Sequence, residues 1–300
     1  MPVDFFKSRC FIENDEILKN PNLDFHSDLN ESTGENSDIK VAELDHIEIT
    51  YFPPNSRRNK PLIKVQGSLH KYYNKTLSEE HKDKYLTKGF NGNDFTFLQV
   101  VESIKHLCTR LNIDPHQMKL ANLELGVNFI PPVDTIQILD GLILHQGVEF
   151  NKPESYQYRQ VVHSQFYIKV YNKAKQYLLP KELSRYELKY VKMANLNSIG
   201  IWTLADLTKI DVYKRFKSAF LAAWCNTLFY DYSITKGNLT EKQISNLKDY
   251  SNSIYWLRLN SKRRDRPKKE LKKITEKYSD NIQSKALEII ELKWDELLVV

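Results

Sequence analysis

Apolar and polar positions alternate with a period of two through much of the first two thirds of the chain, then shift to helical spacing. "AELDHIEITYF" (42–52) reads as a strand, "PPNSRRNKP" (53–61) as a turn with two arginines, and "PLIKVQGSLHKYYN" as a second strand. Together they predict a β-hairpin with a long basic tip. "NGNDFTFLQVVESIKHLCTRLNI" predicts an amphipathic helix with Asn93 or Asp94 as its N-cap and Phe97, Val101, Ile104, Leu107 and Leu111 along one face. In "KLANLELGVNFIPP", Leu123, Leu125, Val127 and Phe129 turn one way and Glu124, Gly126 and Asn128 the other, as in a half-buried strand. "DTIQILDGLILHQ" reads as a helix. Two further alternating runs follow, "SQFYIKVYNK" and "SRYELKYVK", and from Thr203 onward the spacing is helical. This order predicts an α+β fold: a predominantly antiparallel sheet built from 44–52, 62–69, 121–129, 165–172 and 184–191, flanked by helices, with a helical C-terminal third.

Composition sharpens the division of the chain. With 300 residues, 41% of them hydrophobic, there is enough apolar material for a substantial core. The net charge of +6 is unevenly spread. Residues 13–45 hold ten Asp or Glu against two Lys, whereas 257–278 hold ten Lys or Arg against three acids. The expected layout is an acidic, mobile extension over 1–41, an α+β domain over 42–210 and a helical basic region over 211–300. Cys10, Cys108 and Cys225 are odd in number and far apart, which suggests neither a disulfide framework nor a thiolate metal site. No run approaches the ~18–20 apolar residues of a membrane span, and "MPVDFFKSRCFIENDE" lacks the sections of a secretion signal, so a cytoplasmic protein with no membrane partner is expected.

The polar faces of the strands carry the candidate chemistry. Tyr167, Lys169, Tyr171 and Lys173 oppose Phe166, Ile168 and Val170, while Arg185, Glu187 and Lys189 oppose Tyr186, Leu188 and Tyr190. If the strands bearing Glu124, Tyr171 and Glu187 are neighbours with polar faces on one side, they gather carboxylates, a phenol and lysines. Such a set suits phosphodiester chemistry, in which carboxylates hold a divalent metal and a tyrosine attacks phosphorus. The alternative is a solvated face of cross-strand ion pairs worth ~0.2–1 kcal/mol each. No HExxH, GxxxxGK[ST] or GxGxxG occurs, so zinc hydrolysis and nucleotide-loop chemistry lack support. The run Lys262, Arg263, Arg264, Arg266, Lys268 and Lys269 suits a polyanion, or alternatively forms a solvated helix face.

"GSLHKYYN" followed by "GFNGNDFTF", "YIKVYNKAKQY" followed by "SRYELKY", and the opening "LDHIEITYF" together resemble rolling-circle replication initiators of filamentous phages and the related plasmid Rep proteins. The resemblance spans about 43–210. It implies a tyrosine nickase that cuts one DNA strand at an origin duplex or hairpin, becomes joined to the 5′-phosphate and leaves a 3′-hydroxyl. By position, Tyr171 would be the nucleophile, with Tyr167 its nearest rival, and Lys173 its electrostatic partner. Glu124, Glu187 and Asp45 would hold Mg²⁺ or Mn²⁺, and Arg57, Arg58 and Lys71 would join the C-terminal cations in binding DNA. "LELGVNF" offers Glu124 and Asn128 where many rolling-circle nucleases carry two histidines. A homodimer is one assembly this reading allows, and a non-cleaving, sequence-specific DNA-binding protein is the rival function.

Overall fold

The structure is a computed structural model that describes residues 3–29, 36–80, 89–151 and 157–299. Its strands are β1 Val3–Phe11, β2 His26–Leu29, β3 Asn36–Leu44, β4 Ile47–Phe52, β5 Leu62–Ser68, β6 Lys119–Phe129, β7 Leu142–His145, β8 Val148–Glu149, β9 Tyr158–Val162, β10 Phe166–Asn172, β11 Ser184–Tyr190 and β12 Thr227–Phe229. The helices are α1 Leu69–Thr76, α2 Phe97–Leu111, α3 Thr135–Gly141, α4 Lys173–Tyr177, α5 Ala194–Asn197, α6 Ile210–Cys225, α7 Glu241–Tyr250, α8 Ser253–Arg258, α9 Ser261–Tyr278 and α10 Ile282–Glu296. Among the described residues, nine strands form one antiparallel sheet in the order β2-β3-β4-β5-β1-β6-β11-β10-β9, and β12-β7-β8 form a small second sheet. The expected α+β class holds, with all five anticipated strands in the large sheet. No helix among the described residues is long and apolar enough to cross a membrane.

The chain divides into two compact units. The first comprises Met1–Gly126, Lys189–Arg215 and Leu297–Val300, the second Val127–Leu188 and Phe216–Glu296. In the first unit, β1 lies between β5 and β6, antiparallel to both. This corrects the expectation of a mobile extension over 1–41, because Val3 and Phe6 are fully buried. The reason is non-local: β1 gains its hydrogen bonds and its burial only from segments about 60 and 120 residues further along. α1 packs on β1 and β5 and against α2, covering the face that carries Phe6, Ile63 and Val65. α2 starts at the Thr96 cap, in a reciprocal box with Gln99, rather than at Asn93 or Asp94.

β3 and β4 meet at a two-residue turn in which Asp45 and His46 both take positive φ, 48° and 72°. The single strand expected over 42–52 is therefore broken there. Asp and His tolerate this geometry without the Asn-Gly signature that would have announced it. Gly67 lies beside the turn. A Cβ at Gly67 would run into the His46 carbonyl oxygen and approach the Ile47 Cα to 2.9 Å.

In the second unit, β9 and β10 form a hairpin with Tyr158 opposite Tyr171. The anticipated helix over 134–146 ends at Gly141, and Leu142–His145 become β7, fully buried and paired with β12 and β8. A four-residue apolar run has too few residues to reveal its period. α6 and α10 bring Phe220, Trp224 and Trp294 into an aromatic cluster with Tyr186, and α7, α8 and α9 close over Leu247, Trp256, Leu271 and Ile274. His145 is fully buried. Its Nδ1 lies 2.8 Å from His163 Nε2, and its Nε2 has no hydrogen-bond partner among the described residues. Burial first, then the neighbouring His163, lowers the His145 pKa to about 4.

Two outcomes follow from this packing. Gly67→Ala should lower stability by about 2 kcal/mol in urea unfolding, since backbone must move, whereas Gly237→Ala, whose Cβ would meet nothing within 4 Å, should stay within about 0.5 kcal/mol of the parent. For His145, the unfolded chain binds a proton below its ordinary value of 6.5, and the folded chain refuses it down to about 4. Stability should therefore be level above pH 6.5 and fall by roughly 3 kcal/mol as the pH drops to 4. His145→Leu should remove that share of the slope in denaturation curves recorded across this range.

Candidate active site

β10 and β11 build the core of the site within the second unit. Alternation on β11 turns Arg185 and Glu187 to one side, and both are buried. Arg185 Nε donates to Glu187 Oε1 at 2.5 Å, and its Nη1 donates to Asn128 Oδ1 at 2.8 Å. The guanidinium thus fixes the carboxylate from beside it in the strand. Tyr171, near the end of β10, donates its phenolic proton to the same Glu187 oxygen at 2.8 Å, and Lys169 lies 3.4 Å from Oε2.

Lys173 reaches the phenol by a route that alternation did not foresee. β10 ends at Asn172, whose side chain caps α4, and Lys173 is the first residue of that helix. Its ammonium is buried, 3.3 Å from the Tyr171 oxygen and 5.0 Å from the centroid of the Tyr177 ring. A buried ammonium needs compensation, which the phenolic oxygen and the π faces supply in part. Tyr167, the expected rival, sits opposite Val162, half-buried, and makes no side-chain hydrogen bond among the described residues.

The remaining carboxylates belong to β1 and β6 of the first unit. Between Val3 and Phe6 the register of β1 against β6 slips by one residue, an irregularity that lets two core-facing positions flank both Asp4 and Phe5. Asp4 thereby turns away from the core side. It accepts from Ser68 Oγ and, at 2.7 Å, from Asn91 Nδ2. Glu124 lies 3.5 Å from the Lys189 ammonium. One oxygen of Asp4 lies within 4.8 Å of one of Glu124, and both side chains are buried.

Two buried carboxylates this close repel one another, so the pair requires cations. Lys189 supplies part of that compensation. The donor set is oxygen only, which fits a hard divalent ion such as Mg²⁺ or Mn²⁺ better than zinc.

Within the first unit the carboxylate beside Glu124 is Asp4 rather than the expected Asp45. Asp45 sits in the β3–β4 turn and pairs with Arg110 at 2.9 Å. A positive-φ turn aims its side chain by local geometry, not by strand alternation. Asp4 was missed because its segment was read as an extension. "VDFF" followed by "KSRCF" held a signal for a strand, though nothing in it marks the register slip.

The expected DNA contacts fall in separate places. Arg57 is exposed at the β4–β5 tip, whereas Arg58 donates to the Pro53 carbonyl at 2.6 Å. Lys71, on α1, is half-buried beside His46, whose pKa is lowered by burial first and by Lys71 second. α9 buries Pro267, Leu271 and Ile274 and turns Lys262, Arg266, Lys269 and Lys273 outward, beside Arg263 and Lys268. Arg264 is half-buried, and its Nε donates to the Trp256 carbonyl at 2.8 Å, which makes it a structural tie rather than a free surface cation.

No family model and no curated protein matches the chain. Among solved structures it is similar to one described as the rolling circle replication initiator protein from Geobacillus stearothermophilus, with 10% sequence identity and a TM-score of 0.40, over 85% of this chain and 92% of that one. At that identity and score the likeness assigns neither a family nor an activity to the chain.

Proposed function

We propose that the protein nicks one strand of DNA as a replication initiator of the rolling-circle type, using Tyr171 as a metal-assisted nucleophile. The observation that carries this reading is the Tyr171 phenol held between the Glu187 carboxylate at 2.8 Å and the Lys173 ammonium at 3.3 Å. A free phenol with pKa ~10 is ionised only about once in a thousand molecules at pH 7, so a nucleophilic tyrosine needs both a proton acceptor and a positive neighbour. Glu187 accepts the proton, and Lys173 stabilises the phenolate. The phenolate oxygen bonds to phosphorus, the bond from phosphorus to the 3′-oxygen breaks, and the 3′-oxygen takes up the proton that Glu187 accepted and departs as a hydroxyl, while Tyr171 keeps the 5′-phosphate. Asp4 and Glu124 would hold a divalent ion, which would polarise the phosphoryl oxygens. Ser68 and Asn91 hold Asp4, and Arg185 holds Glu187 in orientation.

A second reading, a DNA-binding protein that does not cleave, is favoured by one observation: Glu187 Oε1 accepts from both Arg185 and Tyr171, donors supplied by the protein itself. In that case the cluster is a structural ion network.

Denaturing gels of a labelled origin oligonucleotide separate the two. The full chain should give a protein-sized covalent band with Mn²⁺ or Mg²⁺ and none with a chelator. Tyr171→Phe should lose the band and at least about a thousandfold in nicking, while Tyr167→Phe keeps both. Asp4→Asn and Glu124→Gln should weaken Mn²⁺ binding by about tenfold or more in calorimetry performed on the Tyr171→Phe background. A band that persists in Tyr171→Phe would sink the assignment, and no band with any metal would favour the non-cleaving reading.

Duplex affinity should reside on α9. Replacing Lys262, Arg266, Lys269 and Lys273 by Gln should flatten the slope of log K against log salt by roughly 3 to 4 units, at ~0.9 per phosphate. Arg264→Gln should instead lower thermal stability and leave that slope within about one unit of the parent, because its guanidinium is spent on a carbonyl.

A further inference from the structure

The side of β1 turned away from α1 carries Phe5, Lys7, Arg9 and Phe11 in alternation, and β5 answers with Ser68, Gln66, Lys64 and Leu62 directly opposite. Arg9 and Lys64 therefore face each other across neighbouring strands. Like charges in that position destabilise a sheet. Lys64 is relieved by Glu48 at 3.2 Å, but neither Lys7 nor Arg9 forms an ion pair with any described residue. Partial burial first, then Lys64 and Arg9, lowers the Lys7 pKa, which shows how closely these charges crowd. Aromatic rings flank the cations. Phe5 lies under the Lys189 ammonium at 4.5 Å, while Phe11 is 59% exposed at the far end of the same row. The Phe5 end adjoins Asp4, and Lys189 lies beside Glu124.

We infer that this open face of β1 and β5 is a single-strand platform: Lys7, Arg9 and Lys64 track the phosphates of a DNA strand, and Phe11 stacks on a base. Uncompensated cations call for an anion, and alternate residues on one strand stand about 7 Å apart, so the charges form a line rather than a point. A line of cations with an aromatic at its end fits an unpaired strand, whose bases are free to stack, better than a duplex or a compact anion. The inference rests on the nicking reading for the identity of its partner. The face itself is defined by the first unit alone.

The test is fluorescence anisotropy with a labelled single-stranded oligonucleotide and, separately, its duplex, on full-length Tyr171→Phe protein with chelator present, so that neither cleavage nor metal enters. Lys7→Gln with Arg9→Gln should weaken single-strand binding by roughly tenfold or more and flatten its salt slope by about 1.4 units, at ~0.7 per phosphate, while the duplex slope changes by less than about half a unit. Phe11→Ala should weaken single-strand binding about tenfold and leave the slope unchanged. Because the double variant relieves like-charge crowding, its melting temperature should equal or exceed that of the parent, which separates lost contact from lost fold. An unaltered single-strand slope, equal losses on duplex, or no single-strand binding by the parent would each overturn the platform. These results are independent of the covalent band. A band with an unaltered slope removes the platform alone, and single-strand binding without a band removes the nicking reading alone.

Discussion

Antiparallel pairing of β1 between β5 and β6 is the constraint on which the first unit depends. It inserts the start of the chain into the middle of a sheet, where Val3 and Phe6 are sealed from water, each contributing about 2 kcal/mol of burial. Side chains alternate on a strand, so burying Phe6, Ser8 and Cys10 obliges Phe5, Lys7, Arg9 and Phe11 to the other side. The register slip against β6 adds Asp4 to that other side. One pairing decision therefore fixes both the core under α1 and the placement of Asp4 within 4.8 Å of Glu124.

Electrostatics in the candidate site follow from burial. Buried carboxylates are costly, and each is held by a different class of group: a hydroxyl and an amide for Asp4, an ammonium for Glu124, a guanidinium and a phenol for Glu187. The donors are arranged asymmetrically. Glu187 Oε1 receives both Arg185 and Tyr171, which leaves Oε2 with the longer contact to Lys169. Because truncating one member of a buried pair leaves an uncompensated charge, Arg185 serves the fold as well as the orientation of Glu187.

The C-terminal helices obey a simpler rule. α9 carries an unbroken surplus of cations, yet its Pro267, Leu271 and Ile274 row binds it to the cluster around Trp256, and Arg264 ties its first turns to the preceding helix. Within one basic run, helical periodicity thus separates outward charges from a structural one. The sequence alone presents these cations as equivalent.

Much of the site was legible locally. Alternation in "SQFYIKVYNK" and "SRYELKY" put Tyr171 and Glu187 on polar strand faces, and "KLANLELGVNF" did the same for Glu124, because a period of two is written into any half-buried strand. The strands of the β4–β5 hairpin and the helix at Phe97–Leu111 were legible for the same reason. What local pattern left open was decided by partners distant in sequence. β1 is a strand because β5 and β6 hydrogen-bond it, and Leu142–His145 pair with β12 rather than extend α3. Lys173 reaches the Tyr171 phenol from a helix start, and Asp4 rather than Asp45 comes beside Glu124 through a register slip. The sequence determined which face each side chain could present, since that follows from backbone geometry residue by residue. Only the tertiary structure decided which faces meet, since pairing depends on the summed burial and hydrogen bonding of segments that have no local knowledge of one another.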